Sequence, residues 1–228
     1  MRESERIKIR KRMLWLGVAA GCVMMLISWW MDGTGLRRGA EALSLRPLGL
    51  YTLCMLLAMG GVPVMCAGLL VWYRIVQSVQ ARPWVRLLFD ASALSYAVSS
   101  LYLIAIDCLP PIVYQTALSL GVPPASALTL IEGIEKPYTV PIVVFFLIED
   151  LGISVVLWQL IVSGKLRVSK WMLACCPAAM LLLDLLLKRL PSALAQNISV
   201  TLESCGWMLF MLVGIVHLRR SEKRYDRA

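Results

Sequence analysis

Six long apolar runs, separated by short polar segments, constrain this chain more than any other feature. A helix needs roughly 20 apolar residues to cross a hydrocarbon core about 30 Å thick. One such run could be the buried helix of a soluble domain, but six in 228 residues leave too little polar chain to cover them. The sequence therefore predicts an all-α fold: a polytopic transmembrane helix bundle that forms one integral membrane domain over residues 1–228. The predicted spans are 13–31, 48–73, 85–109, 140–162, 171–187 and 200–218.

The charged residues follow the same division. They make up 16% of the chain, against about 25% in a soluble domain, and they cluster between the apolar runs. In a soluble protein the net charge of +9 would suggest nucleic acid as a partner. Here the basic residues lie at the ends of apolar runs, so we expect the lipid bilayer as partner and no nucleic acid.

The distribution of Lys and Arg predicts the orientation of the bundle. If the N-terminus is cytoplasmic, the segments on that side hold 17 of the 23 basic residues, which is the positive-inside pattern. We therefore predict a multi-pass protein of the cell (cytoplasmic) membrane, with both termini on the cytoplasmic side. The first apolar run continues through Trp29 and Trp30. It is too long for the core of a signal peptide, so we expect it to be kept as a span.

The segment between the third and fourth spans is predicted to be a loop, over residues 110–139. Pro110 and Pro111 should end the third helix, because proline lacks the N–H that a continuing helix needs. Residues 125–136 place Leu128, Ile131 and Ile134 on one side, which is typical of a short amphipathic helix. Since that stretch is too short to cross the bilayer, we expect it to lie at the membrane interface.

Several acidic residues fall inside the apolar runs. An ionised side chain at mid-bilayer costs about 2.5 to 3.5 kcal/mol, so such residues usually face the interior of the bundle. Glu149 and Asp150 are central in the fourth span, and Asp184 and Glu203 lie in the outer parts of the fifth and sixth. Asp107 lies near the outer end of the third span. The buried acids are therefore predicted to gather toward the outer face.

The third span carries its polar side chains on one face. At 100° per residue they fall within an arc about 160° wide, opposite a face of Leu, Val, Ala and Ile. Hydrogen-bonded helix packing is one explanation of this stripe, and the wall of a polar cavity is the other. The stripe consists of Ser92, Ser95, Tyr96, Ser99, Ser100, Tyr102 and Asp107.

Together the acids and the stripe predict a binding site for a ligand or an ion, in a cavity open to the extracytoplasmic side. Neighbouring acids in a low-dielectric site repel each other when both are ionised, so we expect at least one of them to carry a proton at neutral pH. Asp184 has a local alternative, an ion pair with Lys188 four residues further on. The predicted site comprises Glu149, Asp150, Asp184, Glu203, Asp107, Ser92, Tyr96 and Ser99.

Motifs for cofactor chemistry are absent from the sequence. The chain has no P-loop, GxSxG or HExxH motif, and its seven cysteines show no CxxC spacing. The only histidine, His217, lies at the inner end of the sixth span and is expected to be an interfacial side chain. We therefore expect no cofactor, and the pattern assigns no metal ligand. Cys108 and Cys205 both lie near the predicted outer face, where a disulfide between them remains open.

Four short motifs follow one another along the chain. They are Trp30-Met31-Asp32-Gly33, Trp72-Tyr73-Arg74, Lys136-Pro137-Tyr138 and the link from Ser163 to Trp171, SGKLRVSKW. In these motifs the chain resembles an uncharacterised family of bacterial multi-pass membrane proteins, found largely in Gram-positive gut bacteria. The resemblance extends over nearly the whole chain and implies a bacterial cytoplasmic membrane, but no established activity and no functional residues.

Three classes of function fit these observations. The first is a protein that binds or transports a small molecule or a cation through the outer acidic cavity, and we favour it. The second is a structural or regulatory membrane protein without a ligand, whose acids only pair or cap helices. The third is an intramembrane enzyme that acts on a lipid-like substrate with Glu149, Asp150 and Asp184 as acid and base, which we expect less than a non-enzymatic role. The sequence leaves the oligomeric state open.

Overall fold

The computed structural model describes residues 3–31 and 47–225, and helices account for most of them. Asp32 and the side chains of Asp107 and Cys108 lie outside the described residues, so the predicted roles of Asp107 and of a Cys108–Cys205 disulfide stay predictions. The helices are α1 (Glu3–Met31), α2 (Leu48–Ser78), α3 (Pro83–Ser119), α4 (Pro124–Phe146), α5 (Gly152–Val162), α6 (Pro177–Leu187), α7 (Ala193–Ser199) and α8 (Leu202–Tyr225), with a π-helical turn (Leu147–Leu151) between α4 and α5 and a 3₁₀ turn (Lys170–Ala174) before α6.

Four helical segments of the described chain are long and apolar enough to cross a membrane. The predicted all-α fold with apolar helices of membrane length is thereby confirmed, whereas six crossings and cytoplasmic termini stay predictions. The four segments coincide with the predicted first, second, fourth and sixth spans, and they are Glu5–Trp29, Leu48–Ser78, Lys136–Val162 and Leu202–Lys223.

The segment between the predicted third and fourth spans is a helical hairpin, so the predicted loop over 110–139 is wrong. Helix α3 runs through Pro110 and Pro111 and ends at Ser119. The turn that follows is closed by Gly121, which has a φ of +81°, and by a hydrogen bond from the Val122 N–H to the carbonyl of Ala117 at 3.0 Å. A glycine in the left-handed region with this bond is the usual C-terminal stop of a helix.

The predicted interfacial helix over 125–136 is also not a separate element. These residues form the first turns of α4, which continues through the π-helical turn and α5 to Val162. Tyr114 of α3 packs with Ala127 and Ile131 of α4 in a small buried cluster near the hairpin turn. This tertiary packing accompanies the continuation of α3 past its two prolines, where the sequence pattern alone predicts a stop.

The predicted fifth span, 171–187, is broken. Its regular part, α6, has 11 residues and is about 16 Å long, roughly half the thickness of the hydrocarbon core. Pro177 starts α6, and Cys176 before it is extended, with φ −143° and ψ 157°, because a residue that precedes proline avoids the helical region. The 3₁₀ turn before α6 is held by Trp158 of α5, which donates a hydrogen bond to the carbonyl of Leu173 at 2.8 Å.

Several polar segments meet at one end of the bundle. The start of α1 contacts the end of α8, where Lys11 Nζ lies 2.5 Å from Glu222 Oε2. The loop after α5 contacts the turn between α2 and α3, where Lys165 Nζ donates a hydrogen bond to the carbonyl of Gln80. These segments carry most of the basic residues that the orientation prediction places in the cytoplasm.

His217 ties the loop after α5 to α8 at the same end. Its side chain is buried, and its Nδ1 accepts a hydrogen bond from the backbone N–H of Arg167 at 3.0 Å. Since an acceptor nitrogen of a neutral imidazole carries no proton, the proton belongs on Nε2. The loop after α5 thus covers the His217 side chain, and its predicted position at the membrane interface stays a prediction.

The core of the bundle is built on aromatic contacts between α2 and α8. Trp72 stacks on Phe210 with ring centroids 4.2 Å apart and planes at 14°. Trp207, one turn earlier on α8, meets Phe210 edge to face at 6.0 Å and contacts Tyr96 of α3 at 4.4 Å. This series of rings leads from the centre of the bundle to the acidic residues of the π-helical turn.

Candidate functional site

Three carboxylates from two distant parts of the chain converge inside the bundle. One carboxylate oxygen from each of Glu149, Asp150 and Glu203 lies within 4.8 Å of the other two. Glu149 and Asp150 are almost fully buried, with 1% and 0% of their surface exposed, and Glu203 is partly buried. The structure thus brings together three of the acids that the sequence assigned to one site.

Two neighbouring acids, Glu149 and Asp150, are both buried in a π-helical turn. In an α-helix, consecutive side chains are about 100° apart, so adjacent residues tend to face different surroundings. Residues Leu147–Leu151 form a π-helical turn instead, in which hydrogen bonds close over five residues and the turn is wider. Such turns inside α-helices occur often at functional sites, and this one lies within an apolar segment of membrane length.

Asp150 is held from one side by α8. Its Oδ1 accepts a hydrogen bond from Trp207 Nε1 at 3.0 Å, whereas its Oδ2 is buried and finds no hydrogen-bond partner among the described residues. A buried carboxylate oxygen without a partner carries a full desolvation penalty. A proton or a cation on this oxygen would offset the penalty, and no described side chain supplies one.

Glu149 is held by the polar stripe of α3. Its Oε2 accepts a short hydrogen bond from the hydroxyl of Ser99, and that hydroxyl also lies 3.2 Å from the carbonyl of Tyr96. Since α3 and the π-helical turn are about fifty residues apart in the chain, this bond fixes the carboxylate through tertiary structure.

Two other serines of the stripe, Ser92 and Ser95, donate hydrogen bonds to backbone carbonyls. Ser92 Oγ donates to the carbonyls of Leu88 and Ile148, at 2.8 and 3.1 Å, and Ser95 Oγ donates to the carbonyl of Phe145 at 2.9 Å. Both bonds to α4 and its turn satisfy backbone groups, in the way the helix-packing explanation expects. Ser92 and Ser95 therefore support helix packing, whereas Ser99 binds the Glu149 carboxylate.

Asp184 stands apart from the three carboxylates. Its Oδ2 accepts a hydrogen bond from Lys188 Nζ at 2.7 Å, in an ion pair at spacing (i, i+4). The pair matches the local alternative that the sequence offered for Asp184. Among the described residues, the convergent set consists of the acids of the π-helical turn and α8. The side chain of Asp107 lies outside the described residues, so its predicted place in the site stays a prediction.

Two glycines let the helices close around the site. A Cβ added at Gly152, directly after the π-helical turn, would collide with the hydroxyl of Ser92. A Cβ at Gly206 would lie 2.6 Å from the Cα of Pro177 at the start of α6. These close approaches bring α3 and α6 against the elements that carry the acids.

A further bond couples α6 to the same turn. Ser154 Oγ donates to the carbonyl of Asp150 at 2.5 Å and accepts a hydrogen bond from the Ala178 N–H at 3.0 Å. This N–H is one of the first in α6 and has no partner within the helix. The break before α6 thus lets an N–H at the start of this helix bond to Ser154, which in turn bonds to the acidic turn.

Trp207 is the site residue that the sequence analysis missed. A tryptophan in an apolar run usually signals packing or an interface position, and neither use predicts a hydrogen bond to an acid. One signal was present, because Trp207 follows Glu203 by four residues and so shares its face of the helix.

The fold and the site define an all-helical protein with several apolar helices of membrane length and three acids clustered inside the bundle. More particularly, the chain belongs to the Family of unknown function (DUF6796), whose profile matches residues 1–221. The predicted resemblance to an uncharacterised family is confirmed in this respect, whereas a bacterial origin stays a prediction. Comparisons with curated proteins and with solved structures gave no match.

Proposed function

We propose that this chain is a multi-pass protein of a bacterial cytoplasmic membrane that binds a divalent cation at Glu149, Asp150 and Glu203. The observation that carries the proposal is the convergence of three carboxylate oxygens within 4.8 Å inside the bundle. The buried Oδ2 of Asp150, which has no partner among the described residues, supports it independently, because a buried carboxylate oxygen needs a positive partner.

The spacing of the oxygens suits a single shared ion. Ca²⁺ binds carboxylate, carbonyl and hydroxyl oxygens at about 2.3 to 2.6 Å, so two oxygens on opposite sides of one ion are roughly 5 Å apart. Three oxygens within 4.8 Å of one another are close enough to share such an ion. All-oxygen ligands favour Mg²⁺, Ca²⁺ and Mn²⁺ over metals that prefer nitrogen or sulfur.

The charge of the cluster favours a divalent ion over a monovalent one. If all three carboxylates are ionised, they place three negative charges in a largely buried space, where repulsion is much stronger than in water. A monovalent ion would leave two of these charges uncompensated, whereas a divalent ion leaves one. Hydrogen bonds from Ser99 and Trp207 orient the acids at the same time.

Entry from the outer face is consistent with the burial of the three acids. Glu203 lies in the first turn of α8 and is partly buried, whereas Glu149 and Asp150 are buried. In the predicted orientation the start of α8 faces the extracytoplasmic side. An ion would therefore meet Glu203 first, and transport across the membrane is an extension of this binding proposal.

A panel of cations tests the proposal. The protein, purified in a non-ionic detergent, is heated with Na⁺, Mg²⁺, Ca²⁺ or Mn²⁺ at constant ionic strength, and the unfolding midpoint is recorded. We expect at least one divalent ion to raise the midpoint in a saturable way. Asp150→Asn and Glu203→Gln should each reduce that shift strongly, because each removes a charged ligand.

Glu132→Gln is the matched control. Glu132 is an exposed acid on α4, and its replacement changes the net charge as much as each site variant does. An equal cation shift in the control, Asp150→Asn and Glu203→Gln would contradict the proposal and favour the structural class. A midpoint that responds to pH but to none of the cations would also contradict it, and would assign the cluster to protons.

A further inference from the structure

A cavity opens between the two N-terminal helices, far along the chain from the acidic site. Its volume is about 420 Å³, and it is lined by Arg6, Ile9, Arg10 and Met13 of α1 and by Arg74 of α2. The four α1 residues follow the spacing i, i+3, i+4 and i+7, which places them on one face of the helix. Arg74 completes the wall from the last turns of α2.

The lining of the cavity is basic. Three of its residues are arginines, and none of the described residues that line the cavity is acidic. Arginine presents a planar set of donors that matches the oxygens of a phosphate group. Three guanidinium groups around one space would be attracted to an anion that carries a phosphate.

The position of the cavity identifies the source of that phosphate. Met13 opens the predicted first span and Arg74 directly follows the predicted second span, so the cavity lies where the apolar runs meet the basic cytoplasmic segments. Basic pockets between membrane helices on that side bind the headgroups of anionic lipids. The aromatic side chains of Trp15 and Tyr73, near Met13 and Arg74 in the sequence, are exposed, as aromatic residues at a membrane interface are.

Apolar surface continues from the cavity toward the membrane interior. Leu16 lies three residues after Met13 on α1, and Leu70 lies four residues before Arg74 on α2, so each sits one turn deeper on the same face. Both leucines are more than half exposed. They offer an apolar surface to the acyl chains of a lipid whose phosphate is held by the arginines. Free phosphate has no acyl chains and would not use this surface.

We propose that this cavity is a specific binding site for the headgroup of an anionic phospholipid. The lipid phosphate is held by Arg6, Arg10 and Arg74, and its acyl chains pack along the exposed surface of α1 and α2. The site is independent of the acidic cluster, so either proposal can fail without the other.

Native mass spectrometry of the detergent-solubilised full chain tests this site. Phosphatidylglycerol is titrated in, the number of retained lipids is counted, and the Kd of the first lipid is determined. We expect one phosphatidylglycerol to bind more tightly than the rest and more tightly than phosphatidylcholine, which carries the same phosphate without net charge. The triple variant Arg6→Gln, Arg10→Gln, Arg74→Gln should bind this first lipid about tenfold more weakly or worse.

A second triple variant, Lys8→Gln, Arg12→Gln, Arg82→Gln, is the control. These three side chains are exposed at the same end of the bundle and do not line the cavity, and the variant loses the same charge. Equal weakening in both triple variants would overturn the site in favour of general attraction to a basic surface. If inorganic phosphate displaced the first lipid at equal concentration, the proposal that the bound phosphate belongs to a lipid would be overturned.

A variant that fails to fold does not remove the test. In that case Arg74→Gln alone is compared with Arg82→Gln alone. We expect only Arg74→Gln to weaken the first lipid, and equal behaviour of the two single variants overturns the site.

Discussion

Trp207 Nε1 donates a hydrogen bond to Asp150 Oδ1 across 3.0 Å, and this contact joins α8 to the π-helical turn in the interior of the bundle. The two residues are 57 positions apart in the chain. The bond fixes one oxygen of Asp150 while the other remains without a partner among the described residues. An acid that is oriented by a tryptophan and still needs a positive partner is the core of the proposed cation site.

Replacement of Trp207 by phenylalanine tests the importance of this bond. Trp207→Phe keeps an aromatic ring but leaves Asp150 Oδ1 buried without a donor, so we expect a loss of about 1 to 3 kcal/mol in the free energy of unfolding. The loss is measured by denaturant titration in detergent micelles. Trp171→Phe is the control, because Trp171 is 66% exposed and should change stability by less than about 0.5 kcal/mol. Equal losses in the two variants would show that the bond contributes nothing.

Serine variants on α3 separate the acid-binding serine from the packing serines. Ser99→Ala removes the hydroxyl that donates to Glu149 and should weaken divalent-cation binding severalfold, because the carboxylate loses its orientation. Ser92→Ala removes bonds to backbone carbonyls only. It should lower the stability of the protein without weakening cation binding. The measurement is the cation-dependent shift of the unfolding midpoint. If Ser92→Ala reduced that shift as much as Ser99→Ala, the division of the stripe would be wrong.

The all-helical fold could be predicted from the length of the apolar runs, and part of the candidate site from the cost of burying charge. The cost of placing an acid in a bilayer was enough to put Glu149, Asp150 and Glu203 in one interior site. The charge of Asp184 is compensated locally instead. Lys188 lies four residues away, and a local ion pair forms at that spacing. Sequence spacing alone does not decide between a local partner and a distant one.

Tertiary packing accounts for what the sequence pattern did not predict. Pro110 and Pro111 are local stop signals, and yet α3 continues past them to the hairpin turn, where it packs against α4. The hydrogen bond from Trp207 likewise depends on the crossing of α8 over the π-helical turn. Neither the crossing nor the extra turn width at Leu147–Leu151 leaves a signature in the periodicity of apolar residues.

Gly206 should tolerate no side chain. In Gly206→Ala the new Cβ would lie 2.6 Å from the Cα of Pro177, a backbone atom that can move only with α6, so we expect a loss of about 1 to 3 kcal/mol in the free energy of unfolding. Gly133→Ala is the control, since no atom lies within 4 Å of the added Cβ and alanine favours the helix by up to about 1 kcal/mol. Gly206→Ala with unchanged stability would contradict the close approach of α6 and α8.

The loop after α5 should depend on the acceptor nitrogen of His217. His217→Leu removes the acceptor for the Arg167 N–H, so we expect the loop to open more often and trypsin to cleave it roughly 3- to 10-fold faster. The measurement is the rate of cleavage after Lys165, Arg167 or Lys170. His217→Asn is the matched variant, because the asparagine carbonyl can accept at nearly the same place and should keep cleavage slow. Equal cleavage rates for wild type, His217→Leu and His217→Asn would show that this bond does not hold the loop in place.

The most direct test of the central claim is the number of Mn²⁺ ions bound per chain, because Mn²⁺ suits oxygen ligands and its free form is read by electron paramagnetic resonance. The account predicts one saturable ion per chain in the wild-type protein and in Glu132→Gln. In Asp150→Asn, which removes the buried carboxylate beside Trp207, this ion should be lost or bound at least tenfold more weakly. A wild-type chain that binds no Mn²⁺ at millimolar concentration, or an Asp150→Asn variant that binds it equally well, would contradict the account.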